Sequence, residues 1–269
     1  MQKAHIGDIA LTYEDLGAGE PALLCLPGWC ASRQSFRDLL PGLAQRRRTL
    51  SMDWRGHGES SAAVDDFGAD ELVADALAVI ESAGLERVVP VATAHAGWVA
   101  IELRRRLGTR IPAIVLVDWI VTDPPPPFLG ALATMADSSK ALAVRDQLFA
   151  MWTEGVAHAE VQRFVREDMG AYPPEMWARA AREIAGAYAR ERNPLRALSA
   201  LATPPQVLHL FAQPADPAYL AAQESFAAEH AWFAVRRLEG RSHFPTIEVP
   251  DQVRDHIESF MASTTARSS

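Results

Sequence analysis

The chain has 269 residues, 49% of them hydrophobic and 22% charged, with a formal net charge of −8, enough for one large domain that buries roughly three quarters of the surface its unfolded chain exposes. This composition excludes disorder and low complexity, and the negative charge argues against a nucleic-acid partner, which is bound through clustered Lys and Arg. The longest apolar stretch, residues 111–121, contains Asp118 and falls short of the ~20 residues that span a bilayer, so no membrane segment is expected.

The first segment, MQKAHIGDIALTYEDLG, lacks the apolar run of a secretory signal and reads as an amphipathic first strand. Two cysteines, Cys25 and Cys30, flank one turn; they suit a reducing, cytoplasmic setting better than a disulfide framework. Apolar runs then alternate with helical patterns: ALLCLPG and a helix from Ser35, RTLSMDW and a helix from Ala69, ERVVPVATA and a helix from Trp98, then IPAIVLVDW. That order predicts a mostly parallel sheet with right-handed crossovers. The basic runs Arg46-Arg47-Arg48 and Arg104-Arg105-Arg106 read as solvated helix faces.

After Trp119 the alternation stops. Prolines 124–127 lead into helical periodicity through FLGALATMA, KALAVRDQLFAMW, AEVQRFVREDM and PEMWARAAREIAGAYAR. Strand alternation returns with PPQVLHLFAQ, a helix from Pro217 to His230, the strand WFAVRRLEG and a last helix beginning near Pro250. The expected division is a core of residues 1–121 and 201–269 with a helical cap, residues 122–200, inserted in one sheet. Ligands of open parallel sheets sit beyond the carboxyl ends of the strands, where such a cap would roof them.

The chemistry-bearing residues fall at those strand ends. VVPVATAHAGW places a strand before a sharp turn and a helix, with Ala94 at the apex and the small Ala92 and Ala96 two residues to either side. Ala94 has no nucleophilic atom, so covalent acyl transfer from this elbow is impossible. LPGWC supplies a loop whose Trp29 N–H, with the His95 N–H at the helix start, is expected to stabilise a negatively charged oxygen. MDWRGHGES resembles a turn widespread in α/β-hydrolases; its Gly56 and Gly58 suit tight turns, and Asp53 and His57 read as structural. In GRSHFP, between the last strand and the last helix, His243 is the candidate base. Its acid partner is either Asp118, at the end of AIVLVDW, or Asp216, in a Pro-flanked loop after VLHLFAQ. Asp118 is favoured, because a carboxylate ending so apolar a strand is costly to leave unpaired, whereas Asp216 suits a helix cap.

Taken in order, LPGWC, MDWRGHG, TAHAGW, LVDW, the cap MW, PPEMWARAAREIAGAY and GRSHFP resemble the cofactor-independent 3-hydroxy-4(1H)-quinolone 2,4-dioxygenases, which have the α/β-hydrolase fold. The resemblance runs from about Leu23 to the last helix. It implies His243 as base, Asp118 as its orienter, Trp29 and His95 as oxyanion-hole contributors and Trp152 as a pocket wall. It also implies a small aromatic heterocyclic substrate and dioxygen, with no cofactor and no metal, and release of carbon monoxide. Trp29, Trp98, Trp152 and Trp177 are candidates to sandwich a flat ring, or else core residues. One departure stands out: family members carry Ser at the position of Ala94, where it contacts substrate without forming an acyl enzyme. Two alternatives are an esterase or amidase whose nucleophile has been replaced, and a non-catalytic ligand-binding homologue; the second has no need of a His243–Asp118 pair.

Overall fold

The computed structural model describes residues 1–62 and 66–266. Its elements run β1 (Gln2–Ile6), β2 (Ile9–Leu16), β3 (Ala22–Leu26), α1 (Leu40–Ala44), β4 (Thr49–Met52), α2 (Ala69–Ser82), β5 (Val88–Thr93), α3 (Gly97–Leu107) and β6 (Ala113–Val117). Then come α4 (Pro126–Met135), α5 (Ser138–Trp152), α6 (Ala159–Arg163), α7 (Pro174–Glu191), α8 (Pro194–Ser199), β7 (Gln206–Phe211), α9 (Pro217–Glu229), β8 (Phe233–Arg237), α10 (Pro245–Glu248) and α11 (Pro250–Ala266). The eight strands form one sheet in the order β1-β2-β4-β3-β5-β6-β7-β8. From β4 to β8 every pairing is parallel, and only β1 with β2 and β2 with β4 are antiparallel. This is the α/β-hydrolase architecture.

The strands β3 and β6 are buried along their whole length, as expected where helices cover both faces of a parallel sheet. Side chains alternate between two cores because successive residues of a strand face opposite ways. Leu23, Cys25, Val89, Val91, Val115 and Val117 pack in the cluster that holds Leu40 and Leu43 of α1 and Val253 and Ile257 of α11. Leu24, Leu26, Ala92, Ile114 and Leu116 belong to the other, larger cluster, with α2, α3 and the helices that follow β6.

Besides the basic runs, of which Arg46–Arg48 lie between α1 and β4 and Arg104 is buried with its guanidinium on the Ile111 and Thr203 carbonyls, two local expectations are corrected. The amino-terminal segment is a hairpin of two strands, with Ile6 opposite Ile9 across a turn at Gly7, where φ is +55°. Gly at positive φ allows a two-residue reversal, and the Gly-Asp pair between apolar runs carried that signal. The helix expected from Ser35 is a 3-10 turn, Arg33–Phe36, followed separately by α1 with Pro41 in its first turn. Pro has no N–H to donate back into a preceding turn, so the helix restarts.

Gly97 opens α3 directly beneath Trp119. A Cβ at Gly97 would overlap Cζ3 and Cε3 of that ring, which is 2% exposed and cannot move aside. Gly97→Ala is therefore expected to lower stability by about 1–3 kcal/mol, the usual range for overpacking, read as a reduced urea midpoint.

Candidate functional site

Strand β5 ends in an elbow. Ala94 holds φ at +47°, a left-handed conformation that costs a non-glycine residue about 1–3 kcal/mol and persists only where the surroundings impose it. The surroundings are the loop after β3: Gly28 lies 3.5 Å, measured from an ideal Cβ, from Ala94 Cβ and from the Thr93 carbonyl oxygen, and its N–H donates to Thr93 Oγ1 at 3.0 Å. A 3-10 turn, Ala94–Ala96, starts at once and runs into α3. The leading N–H groups of such a turn, His95's among them, have no acceptor within it.

The loop carrying Trp29 is shaped from below by His57. Cys30, at φ +54°, donates its N–H to His57 Nε2 at 3.2 Å, while His57 Nδ1 lies 2.9 Å from the Arg55 carbonyl. The imidazole thus accepts at Nε2 and donates from Nδ1, and burial pushes its pKa down to about 4. Trp29 stacks on Phe67 at 5.8 Å and meets His57 edge-on at 6.1 Å. Asp53 accepts from the Arg33 and Glu59 N–H groups and pairs with the Arg33 guanidinium. On the far side of the loop, Asp168 accepts from both the N–H and the hydroxyl of Ser32.

Asp118 follows β6 immediately, with φ +50° and 2% exposure. Its Oδ1 accepts from the Ala212 and Gln213 N–H groups at 2.6 and 3.0 Å, and its Oδ2 lies 2.5 Å from His243 Nδ1. An ionised carboxylate only accepts, so Nδ1 carries the proton and Nε2 keeps its lone pair. The His243 side chain is 20% exposed. Its ring stacks on Trp152 at 4.8 Å, and its N–H donates to the Trp152 carbonyl at 3.3 Å. Asp216 is exposed and accepts from the Ala218 N–H at the start of α9.

Several supporting residues left no signal in the sequence. Glu248 gathers the Arg241 N–H, the Ser242 N–H and the Ser242 hydroxyl, fixing the loop that presents His243. Beneath Asp118, the Trp119 N–H donates to His209 Nε2, and His209 Nδ1 faces Gln223 Oε1 at 2.5 Å. The Tyr219 hydroxyl donates to the Trp119 carbonyl and accepts from the Val121 N–H.

His57 and His209 both have pKa values lowered by burial from 6.5 to about 4. The unfolded chain therefore binds their protons first as pH falls, and their neutral packing contributes full stability above about pH 6.5 and loses it on the way down to about 4. Unfolding free energy is expected to drop by up to about 1.4 kcal/mol per pH unit for each histidine across that window. Urea titrations at pH 7, 6 and 5 measure this, and His57→Gln or His209→Gln should flatten the slope.

The remaining candidate aromatic residues divide between the elbow helix and the cap segment. Trp98 is half-buried and perpendicular to Trp119 and Tyr188, at 4.9 and 5.5 Å. Trp177 is 3% exposed and edge-on to Phe149 at 5.5 Å. His95 stacks on Phe128 at 5.7 Å and receives the Trp119 indole N–H on Nδ1 at 3.0 Å. Among the described residues no group of three His, Cys, Asp or Glu is placed to hold a metal ion. No described helix is long and apolar enough to cross a membrane.

The family model for the Alpha/beta hydrolase family matches residues 23–256. The 2-heptyl-3-hydroxy-4(1H)-quinolone dioxygenase of Mycobacteroides abscessus is 38% identical over 92% of this chain and 93% of its own length. The 1H-3-hydroxy-4-oxoquinoline 2,4-dioxygenase of Pseudomonas putida is 34% identical over 97% of this chain and 99% of its own. Among solved structures, AqdC, which recognises and ring-cleaves the Pseudomonas quinolone signal, superposes in its product complex with a TM-score of 0.92 at 36% identity, covering 97% of this chain and all of that one. An esterase from Thermogutta terrifontis shares the fold at a TM-score of 0.77 and 20% identity, over 98% and 99% of the two chains.

Proposed function

Because the chain belongs to the alpha/beta hydrolase family and, within it, to the 3-hydroxy-4-quinolone dioxygenases, we propose that it cleaves a 2-alkyl-3-hydroxy-4(1H)-quinolone with dioxygen, without a cofactor, to an N-acylanthranilate and carbon monoxide. The observation that supports the reading is an imidazole without a nucleophile: His243, hydrogen-bonded to Asp118, near an elbow whose apex is alanine.

In the proposed reaction His243 Nε2 takes the 3-hydroxyl proton and Asp118 stabilises the imidazolium. The substrate anion is electron-rich enough to reduce dioxygen itself, and oxygen adds at C2. The distal peroxide oxygen attacks C4, the O–O, C2–C3 and C3–C4 bonds break, and C3 leaves with its own oxygen as carbon monoxide. C2 and C4 each take one atom of the dioxygen, C2 as the amide carbonyl and C4, with its original oxygen, as the carboxyl, and His243 gives its proton back. Charge that develops on the 4-oxygen is received by the Trp29 and His95 N–H groups; one such donor is worth about 10²–10³ in rate. Trp29, Trp98, Trp152 and Trp177 are assigned to the aromatic surroundings of the flat substrate, with Ala94 beneath it. The helices in residues 122–200 form the cap. The cytoplasm, where Cys25 and Cys30 stay reduced, is the proposed compartment.

The test is an oxygen electrode paired with carbon monoxide detection, using a 2-alkyl-3-hydroxy-4(1H)-quinolone. One carbon monoxide per dioxygen is expected with no added cofactor, and activated esters should give no acyl-enzyme burst. Ala94→Ser gains only a hydrogen bond of about 0.5–1.5 kcal/mol, so oxygen chemistry should stay within about tenfold. Ester turnover with no oxygen uptake in that variant would overturn the reading in favour of a hydrolase.

A further inference from the structure

Two histidines flank the elbow, and their hydrogen bonds set them to opposite tautomers. His243 donates from Nδ1 to Asp118 and is left with a lone pair on Nε2. His95 accepts the Trp119 indole N–H on Nδ1 at 3.0 Å, and indole is a donor only. A neutral imidazole has one proton, so that of His95 sits on Nε2. The ring is neutral because burial, the largest cause, lowers its pKa to about 3. Phe128 lies parallel to it at 5.7 Å, while Trp119 and Tyr188 stand perpendicular at 6.2 and 5.8 Å. The His95 ring is thus held on several sides, with its Nδ1 already used.

We infer that Trp119 is a positioning residue that locks His95 as an Nε2–H donor, so that the elbow offers substrate a fixed side-chain donor, in addition to the backbone N–H, and never a second base. Trp119 can do this because it is itself immobile. Its N–H and carbonyl are held by His209 and Tyr219, and its ring fills the space that Gly97 leaves by having no side chain. The residue after the acid thereby fixes the donor on the elbow, and one rigid segment, Asp118-Trp119, dictates the protonation pattern of both histidines. At a site whose apex lacks a hydroxyl, this donor is available to a substrate oxygen. The inference rests on the dioxygenase reading only for what the donor meets.

The tautomer is read without substrate, by two-bond nitrogen–proton NMR correlation on protein with 15N-labelled histidine, assigning His95 by its loss in His95→Gln. A pyridine-type Nδ1 and a pyrrole-type Nε2 are expected at neutral pH, and Trp119→Phe should give mixed tautomers. In quinolone turnover, Trp119→Phe should lower kcat by about tenfold, equivalent to ~1.4 kcal/mol. In the His95→Gln background, whose amide keeps an N–H near the Nε2 position without help from Trp119, the same change should cost less than about twofold, by the logic of a double-mutant cycle. A protonated Nδ1 in the wild-type protein overturns the inference, and so does an unchanged His95 spectrum in Trp119→Phe. An equal kcat loss in both backgrounds also overturns it, because Trp119 is then merely structural. Quinolone turnover that persists beside a wrong tautomer refutes this inference and leaves the proposed function standing.

Discussion

His243→Ala is expected to lower turnover of a 3-hydroxy-4-quinolone by about 10²–10⁴-fold, the range contributed by a positioned general base. The loss should appear in kcat more than in KM, because the base acts on a proton that moves in the reaction and is one contact among many in binding. Substrate supplied above the pKa of its 3-hydroxyl arrives already ionised, so the deficit of the variant should shrink as pH rises. Steady-state oxygen uptake across a pH series measures both. A variant within about threefold of wild type at every pH would remove His243 from the chemistry.

Asp118→Asn should be as damaging, and for a reason particular to this site. Oδ1 of Asp118 is held by two backbone N–H groups, from Ala212 and Gln213. An amide at this position must therefore keep its oxygen there and turn its NH2 toward His243 Nδ1. His243 then accepts on Nδ1, its proton moves to Nε2, and the lone pair that takes the substrate proton is gone. The wrong tautomer in a Ser-His-Asp site costs about 10⁴-fold, and a loss of that order is expected. Asp118→Ala imposes no tautomer and should be milder in turnover. It leaves buried N–H groups unpaired, however, at about 1–3 kcal/mol each in stability. Activity with Asn below that with Ala, and stability in the reverse order, is the expected pattern in kinetics and urea unfolding.

Much of the fold could be read from the chain because β3, β5 and β6 are continuous apolar runs closed by turn residues, the signature of strands buried on both faces. The hairpin at Gly7 and the break at Pro41 depart from that pattern because one local residue outweighs the longer periodicity there. In the site, the meeting of Asp118 with His243 is readable from cost, since a carboxylate at the end of AIVLVDW needs a partner. Glu248, His209, Tyr219 and Gln223 could not be found this way. They hold mainly backbone groups or neutral side chains, some of them about a hundred residues away, and a backbone N–H has no residue-type signature. The Trp119 bond to His95 was hidden for a related reason: a tryptophan after an apolar strand reads as core, and nothing local shows that its N–H reaches the elbow.

The hydrogen bond from His243 to the Trp152 carbonyl and the grip of Asp168 on Ser32 join the helices between β6 and β7 to both halves of the site. Those helices cannot lift away as a hinged cover without unhooking His243 on one side and the loop of Trp29 and Ser32 on the other. Two hydrogen bonds to a charged carboxylate are worth about 3–6 kcal/mol together, which would hold a lifted form to about one molecule in 10²–10⁴. Passage of ligands by side-chain motion, with the helices left in place, is the expectation that follows, and Ser32→Ala, which removes one of the two bonds to Asp168, should make those helices easier to open, read as faster hydrogen exchange there.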